Sequence, residues 1–173
     1  AGLGTCLWQG FPEFNNMRII RELQKASSKF STPDDRVGYG IPNMKLAFSN
    51  LLVDYATSSS TIANCNVIIS WSSKDIAAMK YEVERKGPAE SVYTKVGTIN
   101  PQAGTTLTNR NYQFINDVTG LTTGNYSYRI RQIIDTAATS FTAIYIDTTN
   151  VNSPTNCVIV IPPEPFKELI TVQ

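Results

Sequence analysis

Nucleophiles are plentiful in this chain, but the base that would activate them at neutral pH is missing: its 173 residues include no histidine. A self-contained Ser-His-Asp or Cys-His site is therefore excluded, because an unassisted hydroxyl or thiol attacks poorly and imidazole is its commonest proton acceptor. A serine-lysine pair is the remaining formal route, and no motif singles one out. Three cysteines, Cys6, Cys65 and Cys157, are too few and too scattered for a metal knuckle, and their odd number leaves at least one unpaired within a monomer. Cys65 and Cys157 are candidates for a disulfide, with separate thiols as the alternative. Cys6 lies in an apolar segment, where a buried small hydrophobe is expected rather than a reactive thiol. Adjacent Asp34 and Asp35 lack further spaced oxygen ligands, so a solvated turn is expected there and not a calcium site. Gly38, Gly40 and Gly97 form no phosphate cradle, since no glycine-rich turn ends in a lysine leading into a helix. The expectation is that this chain carries no catalytic, cofactor-binding or metal-binding residue and uses no cofactor.

Composition narrows the partners. With 15 basic and 14 acidic residues the net charge is +1, which creates no broad field for nucleic acid or an anionic membrane. No apolar run approaches the roughly 20 residues needed to cross a bilayer, and the first residues lack the basic leader and small-residue cleavage site of a signal peptide. Neither a nucleic-acid partner nor a membrane span is expected.

The elements that would position any site divide the chain in two. Over residues 1–56 apolar residues recur at three- and four-residue spacing between prolines and glycines, the period of helices. The first segment, Ala1 to Gln9, is apolar nearly all round and suits a helix buried on most sides. A second opens at Asn15 or Asn16 and sets Ile19, Ile20, Leu23 and Ala26 on one face, with Arg18, Arg21, Glu22 and Lys25 toward water. A third has Pro42 in its first turn and a stripe of Ala47, Phe48, Leu51, Leu52 and Tyr55. The loop Phe30–Ile41 separates the last two. Three such helices make a very small core, and leaving Leu3, Leu7, Trp8 and Ile20 in water would forgo about 1.5–3 kcal/mol per side chain. An upstream part of the same protein or a partner surface is expected to cover them.

Beyond a boundary within Ala56–Thr61, short alternating runs rich in β-branched and aromatic residues follow. Val67, Ile69 and Trp71 alternate with Ile68 and Ser70. Tyr81, Val83 and Arg85 alternate with Glu82 and Glu84, placing the acids on the wet face, where Arg129 and Arg131 could pair with them across strands. Val92–Ile99, Tyr112–Ile115, Tyr126–Ile133 and Thr139–Ile146 complete the set. About seven strands in about 90 residues, with no room for helical crossovers, favour a two-layer antiparallel sandwich.

Both halves resemble known families. The opening Ala1-Gly2 before an apolar helix, Pro12, the run Ile19-Ile20-Arg21-Glu22-Leu23 with Ala26, and Gly38-Tyr39-Gly40-Ile41-Pro42-Asn43 are similar to the end of the subtilisin-like (S8 family) serine peptidase domain. In that family the nucleophile sits in a Gly-Thr-Ser-x-x-x-Pro-x-x-Ala-Gly run, whose last two residues Ala1-Gly2 match. The resemblance implies that the catalytic Ser, His and Asp and the oxyanion-hole Asn lie upstream, none of them on a residue of this chain. Ile69-Ser70-Trp71-Ser72, Tyr81-Glu82-Val83-Glu84-Arg85, Lys95-Val96-Gly97-Thr98 and Asn125 to Gln132 resemble a fibronectin type III-like domain found beside sorting signals in secreted Bacteroidetes proteins. Ile161-Pro162-Pro163-Glu164-Pro165-Phe166 followed by Leu169-Ile170-Thr171-Val172 looks like the start of a type IX secretion sorting domain without its usual Tyr-Pro-Asn-Pro; a proline-rich linker joining an extra strand is the alternative.

Taken together these readings give a mixed fold class: a helical C-terminal segment of a subtilisin-like α/β domain over residues 1–56, then an all-β fibronectin type III-like β-sandwich over 57–150, then a proline-containing linker or sorting-domain start over 151–173. The function implied by resemblance is that of a non-catalytic C-terminal fragment of a secreted serine endopeptidase. The upstream catalytic part of the same protease would cover the first helix, and secretion machinery or the cell surface is a further candidate partner. The alternatives are an extracellular binding or adhesion module, marked by an exposed apolar patch on a sheet face, and a type IX secretion substrate with no protease role of its own.

Overall fold

A computed structural model describes residues 2–75, 80–104, 108–135, 142–153 and 157. Three short helices come first, α1 (Gly2–Gly10), α2 (Asn16–Lys25) and α3 (Met44–Tyr55). Asn15 and Asn43 cap the second and third, their side-chain oxygens accepting from Arg18 N at 2.8 Å and Leu46 N at 3.0 Å. Pro42 stands one residue before its cap and not in the first turn, because Asn43 takes the role of satisfying the open donors. Leu7, Phe11, Ile19, Ala26, Ala47, Leu51 and Leu52 form the helical core. Glu22, expected toward water, is buried beneath Lys25 and Arg18, whose nitrogens lie 2.6 and 3.6 Å from its carboxylate.

Seven strands follow: β1 (Thr57–Ala63), β2 (Asn66–Lys74), β3 (Lys80–Lys86), β4 (Thr94–Ile99), β5 (Asn109–Asp117), β6 (Gly124–Asp135) and β7 (Thr142–Ser153). They pair antiparallel in two sheets, ordered β1-β2-β5 and β4-β3-β6-β7. The serine-rich segment read as a boundary is strand β1, in register with β2 from Thr57↔Ser72 to Ala63↔Asn66. Asn64 and Cys65 both adopt positive φ, 49° and 59°, which gives the two-residue hairpin between them the twist that antiparallel neighbours need. Between the sheets lie Val67, Ile69 and Trp71 from one side and Tyr81, Val83, Tyr128 and Ile130 from the other.

The expected fold class needs correction. Strand exceeds helix among the described residues, and the structure is two small antiparallel sheets with three short helices rather than a helical segment of one domain followed by a separate sandwich. The helices are joined to the sheets: only Ala56 separates α3 from β1, and Lys74 at the end of β2 is sealed among helical residues. Periodicity reports which side of an element is apolar, not which neighbour covers it, so this junction left no local trace. The strand expected from Thr139 is described from Thr142 onward. Of the linker or sorting-domain start expected over 151–173, residues 151–153 belong to β7 and Cys157 is described, while 154–156 and 158–173, like Ala1, fall outside the described residues.

Gly97 sets how closely β4 approaches β5. A Cβ there would stand 2.1 Å from the Phe114 ring, which is itself packed on the core. Gly97→Ala is expected to lower stability by about 1–3 kcal/mol, since the ring has to leave its place. Urea unfolding would show it, with a smaller penalty in a Phe114→Ala background where that space is open.

Candidate functional site

Of the twelve large hydrophobic side chains exposed among the described residues, ten precede Ala56; Val92 and Ile115 are the others. Leu3, Trp8 and Ile20, expected to need a cover, are 54%, 47% and 46% exposed, whereas Leu7 is buried within the chain. With Ile19, Leu23 and Pro42 they line a groove of about 710 Å³ between α1 and α2. Gly4 faces α2 at its floor, where a Cβ would stand in ordinary contact with Leu23, 3.5 Å away. Cys6, expected to be buried, is exposed and unbridged on the same helix. Nearly every side of α1 is thus apolar and only one side is covered, an arrangement that favours burial against another surface.

Directly behind this layer, the end of β2 turns three consecutive polar residues inward. Ser73, Lys74 and Asp75 are all buried, where strict alternation would send the middle one to solvent. Each serves a different neighbour. Ser73 Oγ donates to Gln132 Oε1 at 3.3 Å, and Gln132 Nε2 donates to the Lys74 carbonyl at 3.0 Å, which ties β2 to β6. Lys74 Nζ donates to the Gly10 carbonyl at 2.9 Å and to Glu13 Oε2 at 2.8 Å, and lies 5.2 and 4.7 Å from the ring centroids of Phe11 and Tyr55. Asp75 accepts from the Tyr81 hydroxyl at 2.7 Å, from the Tyr112 hydroxyl at 2.5 Å and from Gln102 N at 3.2 Å. Burial, then the hydrogen bond to Asp75, pushes the Tyr81 phenol far above its ordinary range and the Tyr112 phenol up to about 12. Both phenols stay neutral donors at physiological pH, and the carboxylate they face is fully bonded.

Burial opposes ionisation of Glu13, but the hydrogen bond and charge of Lys74, with a backbone hydrogen bond, outweigh it and hold its carboxyl below the usual range. A carboxylate depressed in the folded state adds stability above its unfolded pKa of about 4.3, and that stability is lost as pH falls through the lower folded value. Thermal unfolding from pH 7 to pH 3 is accordingly expected to fall less steeply below about pH 4.3 in Glu13→Gln than in the wild type. Parallel curves would remove Glu13 from the junction's energetics.

The outer face of the second sheet differs from its expected picture. Glu82 and Glu84 are nearly buried, because Arg131 and Arg129 stand directly opposite in register and contact them at 3.0 and 2.6 Å, with Lys80 and Lys95 also 3.0 and 3.5 Å from Glu82. Long cationic side chains lie over the carboxylates and cover them. Asp34 serves its own loop: its Oδ1 accepts from the backbone of Arg36 and Val37 at 2.9 Å each, and Lys29 pairs with its other oxygen. No cluster of three metal-ligating side chains occurs among the described residues, and no helix among them is long and apolar enough to cross a membrane. Cys65 and Cys157 form a disulfide, with Cα atoms 5.2 Å apart.

Compared with protein-family models, with curated proteins and with solved structures, the chain matches none. The buried cation and carboxylate at the end of β2 escaped sequence reasoning. The one available signal was an apolar alternation running into Ser-Lys-Asp at Ser73–Asp75, and their partners lie as far as 64 residues away.

Proposed function

We propose that this chain is a non-catalytic part of a secreted serine endopeptidase of the subtilisin-like family, its helices completing the core of the catalytic portion and its sheets serving as an accessory element. The observation that carries the reading is the uncovered apolar surface of α1 and α2, formed by Leu3, Trp8 and Ile20. Those side chains coincide with the segment whose sequence resembles the end of that peptidase domain. The Cys65–Cys157 disulfide favours an oxidising location, outside the cell or on its surface. Chemistry, in this reading, comes from a triad on residues outside this chain, acting through an acyl-enzyme.

The test is intact mass under denaturing conditions of the protein purified from its natural source, run beside a peptidase assay with and without a serine-directed covalent inhibitor. A polypeptide carrying both these residues and an inhibitor-labelled serine, or a second copurifying one with that serine, supports the reading. A protein that purifies alone, monomeric and unlabelled, overturns it in favour of a binding module.

A further inference from the structure

We infer that Lys74 is a positioning residue through which the sheets set the placement of α1; its consequence for activity rests on the peptidase reading above. An ammonium group has three protons to give. Here one goes to the last carbonyl of α1, at Gly10, one to Glu13, and the charge faces the rings of Phe11 and Tyr55. Phe11 is fully buried and its own N–H bonds back to Leu7 and Trp8 carbonyls at 3.1 and 3.2 Å, so the cation grips both the end of the helix and the residue that terminates it. The side chain comes from β2, whose other neighbours, Gln132 on β6 and the Asp75 cluster, hold its end in place. α1 has nine residues, about 13 Å of stiff rod. A tilt of about 10° at its Gly10 end would carry its Gly2 end about 2 Å. In the proposed peptidase the nucleophile precedes Gly2, and a misplacement of about 1 Å at a reacting group can cost about 100-fold in rate. The sheets would then be a fixed support for the catalytic portion and not a tethered appendage.

Lys74→Ala removes three carbons and the ammonium, which propylammonium can return to the vacated cage. In the complete peptidase the variant is expected to lose about 10- to 100-fold in kcat with KM within about twofold. Propylammonium should restore part of that loss, and 1-propanol should restore none. A variant as active as wild type, or one that loses activity without recovery in propylammonium, overturns the inference. If the wild-type protein carries no inhibitor-sensitive activity, the peptidase reading has failed and the placement claim is decided separately by amide exchange on this chain. Faster exchange at Phe11 in Lys74→Ala, slowed again by propylammonium while β2 and β6 stay protected, upholds it; unchanged exchange at Phe11 overturns it.

Discussion

Asp75→Ala is expected to destabilise the folded chain by about 3–5 kcal/mol, the range for removing one partner from a buried charged network. The carboxylate is the common acceptor for the hydroxyls of Tyr81 and Tyr112, whose rings sit 4.7 Å apart, and for the backbone N–H of Gln102. Truncation strands the two hydroxyls in the core without their acceptor, while Gln102 N keeps the Tyr112 oxygen at 3.0 Å. Tyr81→Phe, which deletes a donor and leaves the acceptor satisfied by the others, should cost only about 1 kcal/mol. Urea denaturation of the two variants would measure both, and an Asp75→Ala loss no larger than that of Tyr81→Phe would show that the cluster is not a network. The same cluster sets an alkaline limit. Because the folded Tyr112 phenol is raised, the stability it contributes is complete below the unfolded value of about 10 and is lost as pH climbs through about 12.

Removing the disulfide by Cys65→Ser with Cys157→Ser is expected to cost about 2–5 kcal/mol, because the bridge closes a span of 92 residues and so constrains a large part of the unfolded chain. Serine is the suitable replacement, since Cys65 occupies a left-handed turn position that a larger change would disturb. Native geometry supports both cysteines independently of their bond: Val118 N donates to the Cys65 carbonyl at 2.9 Å and Gly120 N to the Cys157 carbonyl at 2.8 Å. The folded form of the variant should therefore persist, with a lower urea midpoint and a steeper slope, since the unlinked unfolded chain exposes more surface. A midpoint equal to that of the oxidised wild type would mean that the bridge contributes nothing, and an unchanged slope would mean that it does not hold the unfolded chain compact.

Local rules account for what the sequence made legible. The Asn15 cap, the face bearing Ile19 and Ala26, and the inward rows of β2, β3 and β6 follow from side-chain period and capping chemistry, which act within one turn or one strand. Burial of charge did not follow. Glu82 and Glu84 alternate as solvent-facing residues do, yet arginines opposite them on β6 cover them, and cross-strand neighbours are set by register. Lys74 and Asp75 lie further out of reach, since a charge at a strand end ordinarily faces water and only contacts from α1, β3 and β5 show otherwise. Strand β1 was hidden by its serines, which favour turns when alone and pair here because β2 offers them a complete ladder. Of the candidate site, the apolar residues were visible in the sequence, while their gathering into one groove depends on how α2 packs beside Gly4.

The bond between Cys65 and Cys157 also has a mechanical meaning. A pull applied on either side of these two residues passes through the sulfurs, so the 92-residue loop that holds β2 to β7 bears no tension. Among the described elements only β1 and the helices lie on the loaded path, and there the grip of Lys74 on Gly10 and Glu13 joins the strained portion to the unstrained ring. Pulled from both sides, the described chain would lengthen by unpeeling its first 64 residues, with β2 to β7 still folded behind a covalent clasp.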